Sequence, residues 1–179
     1  MSRVTIKDKT FEISIPETTI LEKVKSVADR INKDMASKNP LFLAVLNGSF
    51  MYAADLMKFI DIPCEISFVK VASYTGTESS GKITEVIGLN EDITGREVVI
   101  VEDIVDTGKT MERMLKVLWE KSPANIHIST LLLKPGKLQV ALNIKYAAME
   151  IPNDFIVGYG LDYDQQGRNL RDIYTLVQE

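Results

Sequence analysis

Glu102, Asp103 and Asp106 stand within five positions of one another in "VVIVEDIVDTGKTM", residues 98–111, and the turn Thr107-Gly108-Lys109-Thr110 follows directly. Three carboxylates beside a Gly-Lys-Thr turn are the parts of a site for phosphate, hydroxyls and a cation. The Gly-Lys-Thr ending invites a triphosphate-loop reading, but that loop needs a glycine five positions before Gly108 so that backbone N–H groups can wrap the phosphates. Asp103 occupies that position, and a carboxylate there repels a triphosphate. A single phosphate is a different matter. The N–H groups of residues 107–110 would open a helix without intrahelical partners, at the positive end of its dipole, and the Thr107 and Thr110 hydroxyls can add bonds. A plain cap, with Asp106 or Thr107 closing the helix and Gly108 relieving the turn, accounts for the turn taken alone. The acids tip the balance: Glu102 and Asp103 end a strand apolar on both faces, where ligands of open α/β sheets collect. Adjacent carboxylates there are costly unless they meet donors or a cation, and a sugar diol with Mg²⁺ supplies both. The set fits a ribose 5-phosphate.

The elements that must hold these groups read as βαβ units, an α/β fold with a mainly parallel sheet flanked by helices. Residues 16–36 carry Ile20, Val24, Val27, Ile31 and Met35 on one helical stripe. "LFLAVL" (41–46), "EISFVKV" (65–71), "VVIV" (98–101) and "IHISTLLL" (126–133) read as strands covered on both faces, with a helix from about Phe50 to Ile60 and another bearing Met111, Met114, Leu115 and Leu118. Residues 72–85, small, polar and without period, read as a long binding or lid loop. The pattern changes after residue 133, so that residues 135–179 and parts of the N-terminus are expected to form a small hood on a single domain spanning 1–179.

The 179 residues, with 45% apolar and 26% charged, suit one soluble domain, and no run approaches the length of a membrane span. A net charge of −4 without a Lys/Arg-rich block argues against nucleic acid as partner. The N-terminus has no secretory pattern, and the single cysteine, Cys64, in an apolar context, fits a reducing cytoplasm. His127, within a strand, reads as structural, and Trp119 as core or subunit contact.

"VVIVEDIVDTGKTM" resembles the phosphoribosyl pyrophosphate (PRPP) motif of the type I phosphoribosyltransferases, and in detail that of hypoxanthine-guanine phosphoribosyltransferases. The resemblance extends, in order, through "VLNGSFMYAADL" (45–56), "SYTGTESSG" (73–81), "TLLLKP" (130–135) and "EIPNDFIVGYGLDY" (150–163). It implies that Glu102 and Asp103 hold the ribose hydroxyls, partly through Mg²⁺, and that Asp106 to Thr110 cradle the 5-phosphate, with Ile104 and Val105 also among the residues that bind PRPP. Asp106 would also face purine N7 as general base or acid. Lys134 would donate to a 6-oxo group, Phe155 would stack on the base, and the Ile156 backbone would read its edge. Asp162 would border the purine and bind Mg²⁺ on the pyrophosphate. Arg168, Asn47, Gly48, Ser73 and Tyr74 would attend the pyrophosphate itself, with a cis Leu46–Asn47 bond aiming the N–H groups. Many relatives carry lysine where this chain has Asn47, which removes a charge contact but not the backbone role of Gly48.

The reaction implied is 6-oxopurine plus PRPP giving the purine 5-phosphate nucleotide and pyrophosphate, with Mg²⁺, in a homodimer or homotetramer. A xanthine-directed transferase is one alternative. A non-catalytic PRPP-sensing or RNA-binding regulator on the same fold is another, and the acidic net charge speaks against RNA.

Overall fold

Strands apolar on both faces need cover on both sides, and the alternation of side chains along each strand decides which cover each residue meets. In the structure, a computed structural model, residues 2–75 and 82–177 are described. β3 (Leu41–Val45) is buried throughout, and β6 (Glu97–Val105) and β7 (Asn125–Leu133) are buried over most of their length. Phe42, Ala44, Val99 and Val101 point into one core with α1 (Glu17–Met35) and α2 (Phe50–Phe59). Leu41, Leu43, Val98 and Ile100 point the other way, against Met111, Met114 and Leu118 of α3 (Lys109–Trp119). The predicted α1 stripe holds in full, since Ile20, Val24, Val27, Ile31 and Met35 are all buried.

The main sheet adds β4 (Glu65–Thr75), β5 (Lys82–Ile87) and β8 (Tyr146–Glu150), in the order β5-β4-β3-β6-β7-β8. All neighbours are parallel except β4 and β5. Parallel pairing brings the carboxyl ends of β3, β6 and β7 to one edge, and the chain leaves each of them there for a turn. A second sheet, β1-β2-β10-β9, joins β1 (Arg3–Ile6) and β2 (Lys9–Ile15) to β10 (Ile173–Leu176) and β9 (Ile156–Val157), around Ile6, Phe11, Val157 and Tyr174. No helix among the described residues is long and apolar enough to cross a membrane.

Three expectations need correction. The stretch 72–85 is not simply a loop: Ala72–Thr75 pair antiparallel with Lys82–Glu85, extending β4 into a hairpin. Alternation there is masked in the sequence by small and polar residues, and residues 76–81 of the expected lid lie outside the described residues. The hood does not take everything from residue 135 onward, because Tyr146–Glu150 returns to the main sheet beside β7. Finally, β6 runs on to Val105, so Glu102 and Asp103 lie inside the strand rather than at its carboxyl end. Glu102, Ile104 and Val105 pair with Thr130, Leu132 and Leu133 of β7, so the acids stand on a strand and not on a free turn.

Candidate active site

The apolar run that makes β6 also fixes where its acids stand. Glu102 and Asp103 are half-buried, and among the described residues their carboxylates accept only from neighbouring main-chain groups: the Asp103 N–H to Glu102 Oε1 at 3.2 Å and the Ile104 N–H to Asp103 Oδ1 at 2.8 Å. Burial, and then the charge of Asp103, push the Glu102 carboxyl well above the usual carboxylate range. Among the described residues no lysine or arginine forms an ion pair with either acid. Mg²⁺ keeps most of its water and needs one or two carboxylates beside substrate oxygens, so these two acids fit it. Among the described residues no three of Asp, Glu, His or Cys come together as a metal cage, and Asp162 does not join this pair in one cluster.

From Val105 the chain turns into α3. Gly108 is the N-cap, in the left-handed region at φ 80°, and no side chain caps the helix. The capping alternative for Asp106 and Thr107 therefore fails. What remains is a set of first-turn N–H groups without intrahelical acceptors, one of which, Lys109, reaches Thr107 Oγ1 at 3.4 Å. They open on a cavity of about 110 Å³ lined by Glu102, Ile104, Asp106, Thr107, Gly108 and Thr110 among others. A Cβ on Gly108 would press on Leu138 and Leu142, and the Gln139 N–H donates to the Thr107 carbonyl at 3.0 Å. The segment after β7 thus braces the phosphate turn from behind.

Asp106 and Lys134 stand at the ends of the neighbouring strands β6 and β7. The Lys134 N–H bonds the Val105 carbonyl at 3.0 Å, and its ammonium, on a side chain left 7% exposed, donates to the Asp154 carbonyl at 2.8 Å. Burial pushes the Lys134 ammonium below the usual lysine range, and Asp106 draws it back in part. Asp106 Oδ1 is buried without a hydrogen-bond partner, while Oδ2 lies 3.3 Å from the Lys137 ammonium. Lys137 is not among the residues expected at the site from sequence. A 3₁₀ turn at Pro135–Lys137 brings it back over Asp106, and the only signal was the Pro-Gly pair that makes such a turn.

The other predicted residues gather around these. Phe155 is 45% exposed, a large ring left out of the core, while Ile156 beside it is buried. The Leu46–Asn47 peptide is cis, Asn47 is exposed, and a Cβ on Gly48 would overlap the Asp103 carboxylate. Gly160 in turn lies so close to the Gly48 carbonyl that no Cβ fits between them. Arg168 bonds the Gly160 carbonyl at 2.8 Å and Asp162 Oδ1 at 2.7 Å, and Asp162 Oδ2 accepts from the Gln165 N–H at 2.8 Å. A continuous stack of Arg168, Gly160, Gly48 and Asp103 thus ties the small sheet's last turn to the acid pair. The backbones of Ser73 and Tyr74 lie in β4, paired with Thr84 and Ile83. His127 and Trp119 lie elsewhere, the first against Glu97 and the second half-exposed where α3 ends.

Comparison with known proteins points to the same place. The profile of the phosphoribosyl transferase domain matches residues 16–164. A hypoxanthine-guanine phosphoribosyltransferase of Lactococcus lactis subsp. lactis (strain IL1403) is 41% identical over 174 residues, covering 96% of this chain and 94% of the relative. Among solved structures, a hypoxanthine phosphoribosyltransferase from Staphylococcus aureus is 37% identical with a TM-score of 0.85, covering 93% of this chain and 91% of that one. The Trypanosoma cruzi hypoxanthine phosphoribosyltransferase, in a complex with its substrates, gives 0.86 at 33% identity, covering 96% and 97%. Matched along nearly its whole length, with its acid pair, phosphate turn and buried lysine on the parallel sheet those proteins share, the chain belongs to the phosphoribosyltransferase family.

Proposed function

We propose that the protein transfers the 5-phosphoribosyl group of PRPP to a 6-oxopurine, hypoxanthine and also guanine, releasing pyrophosphate in a Mg²⁺-dependent reaction of purine salvage. The observation that carries this reading is Lys134. An ammonium so nearly buried, bonded to one backbone carbonyl and close enough to Asp106 to feel its charge, keeps N–H groups free for an acceptor that a ligand can bring. A 6-oxo oxygen is that acceptor, and the half-exposed Phe155 ring and the Ile156 backbone offer the base a face and an edge. The named activities of the relatives support the same substrates.

Chemistry at this site needs a stabilised leaving group, a placed nucleophile and a proton acceptor. The bond from the anomeric carbon to the pyrophosphate oxygen breaks with its electron pair going to pyrophosphate, and the purine nitrogen forms the new bond. Arg168, the N–H groups after Leu46 and the Asn47 amide receive the departing charge. When bound by Glu102 and Asp103, with Asp162 at the pyrophosphate, Mg²⁺ would supply further neutralisation of the phosphate oxygens. The first-turn N–H groups of α3 with Thr107 and Thr110 fix the 5-phosphate, and the two acids orient the ribose hydroxyls. Asp106 takes the proton that the base sheds. We place Ser73 and Tyr74 with the leaving group, the four-stranded sheet as a hood, the working form as a homo-oligomer and the setting as the cytoplasm.

The test is nucleotide formation from hypoxanthine, guanine, xanthine and adenine, each with PRPP and Mg²⁺. Hypoxanthine and guanine turn over best if the reading holds, and adenine as the preferred base would overturn it.

A further inference from the structure

Phe155 is left half-exposed, so something must fix the angle of its ring. Two aromatic neighbours do so. The buried Phe11 ring lies 5.9 Å away, tilted by 42°, and the Tyr163 ring lies 5.7 Å away at 89°, edge-on. Phe11 and Tyr163 touch each other at 6.2 Å, closing a triangle. Phe11 is anchored in β2 by the small sheet's core. Tyr163 sits in the turn after Leu161 and depends on its other contacts: its phenol donates to Asp8 Oδ1 at 2.7 Å, and the Lys9 ammonium lies 5.6 Å from its ring centroid. That phenol bond, first among the causes, also holds the Asp8 carboxyl below its usual range. Beside it Lys7 pairs with Asp164. The two-residue turn between β1 and β2 is thereby fastened twice to the turn 162–168, the one that carries Asp162 and Arg168.

We infer that Tyr163, latched by Asp8, is a positioning residue that presets the Phe155 ring for the base. This rests on the reading of Phe155 as the surface on which the base stacks. Edge-on packing confines a ring to one plane, so that it need not be ordered when the ligand arrives, and the saving appears in affinity for the stacked ligand. No atom of Tyr163 or Asp8 is required at the reacting bond. The effect therefore belongs to the purine and not to PRPP or to the chemical step.

Steady-state kinetics with hypoxanthine and PRPP, on the full chain with Mg²⁺, separate these quantities for Tyr163→Leu, Tyr163→Phe, Asp8→Ala and Phe155→Leu. Tyr163→Leu raises KM for hypoxanthine by about three- to tenfold, the range that one aromatic edge contact supports, with KM for PRPP and kcat within about twofold. Tyr163→Phe and Asp8→Ala each raise it less, and the double variant is no worse than either alone, because both remove one bond. Equal rises in both KM values accompanied by a lowered Tm would show a merely structural role and overturn the inference, as would unchanged kinetics in Tyr163→Leu. Phe155→Leu distinguishes the two levels. If it raises KM for hypoxanthine while Tyr163→Leu does not, only the latch fails; if it leaves KM unchanged, the base platform fails and the latch with it.

Discussion

β6 and β7 run side by side from one end of the molecule to the other, and their two ends treat charge in opposite ways. At the amino ends, Glu97 accepts from His127 Nε2 at 2.8 Å and from Asn125 Nδ2 at 2.8 Å, with the Lys38 ammonium at 3.5 Å. Burial raises the Glu97 carboxyl, but the bonds from His127 and Asn125 and the Lys38 charge outweigh it, so the group ends below its usual range. At the carboxyl ends, Glu102 is pushed the other way, Asp106 keeps a buried oxygen without a partner, and burial depresses Lys134. One end is satisfied within the chain. The other is satisfied only by what it binds, which is how a fold built on consistent local choices shows where its work is done.

The sharpest way to break this comparison is at Asp106. Asp106→Asn preserves shape and removes the proton acceptor, so turnover with hypoxanthine falls by about two to four orders of magnitude while PRPP binding and Tm stay close to those of the parent. Turnover within a few-fold of the parent would remove Asp106 from the mechanism and leave its unpartnered oxygen unexplained.

Glu102 tests the same contrast through stability. Its folded-state value is raised, so the ionised form above the ordinary glutamate value of 4.5 opposes folding, and increasingly so until the folded group itself ionises. Glu102→Gln therefore raises Tm at neutral pH by about 2–4 °C, the shift that ~1 kcal/mol gives in a domain of this size, and lowers activity at limiting Mg²⁺. Thermal unfolding followed by circular dichroism measures the first, and a Mg²⁺ titration of the rate the second. A fall in Tm would mean that the acid pair is satisfied within the chain after all.

How far these two ends could be read beforehand follows from how local their causes are. The α1 stripe and the strands at 41–45 and 125–133 rest on short-range periodicity, and they stand within a residue or so of expectation. Glu102, Asp103 and the phosphate turn are contiguous, so their chemistry was visible in fourteen residues. The N-terminal strands were not: Phe11 pairs with Leu176 and Thr10 bonds Val177, across nearly the whole chain, and no local pattern encodes such a partner. The same holds for Tyr163 and Asp8, and for Lys137, whose approach to Asp106 depends on a turn three residues long. Glu97 and His127 are 30 apart in sequence and meet only because β6 and β7 pair in parallel, Val99 opposite His127.

That meeting gives the most discriminating prediction, one with the smallest effect on activity. Glu97→Gln keeps the side-chain shape but loses the charge that Lys38 and the His127 and Asn125 donors face, so stability at pH 7 falls by about 1–2 kcal/mol and Tm by about 3–6 °C. Activity stays within twofold, because nothing at the carboxyl ends of the strands is touched. The pH dependence fixes the cause. A carboxyl whose folded value is depressed contributes stability that is complete above the ordinary glutamate value of 4.5 and is lost as pH falls through the lower folded value. Denaturant unfolding at a series of pH values should therefore show the parent's advantage over Glu97→Gln constant near neutrality and shrinking below about 4.5. An advantage that persists unchanged into acid would assign the loss to packing, and the amino ends of these strands would then owe their stability to shape and not to the charge that sets them apart from the site.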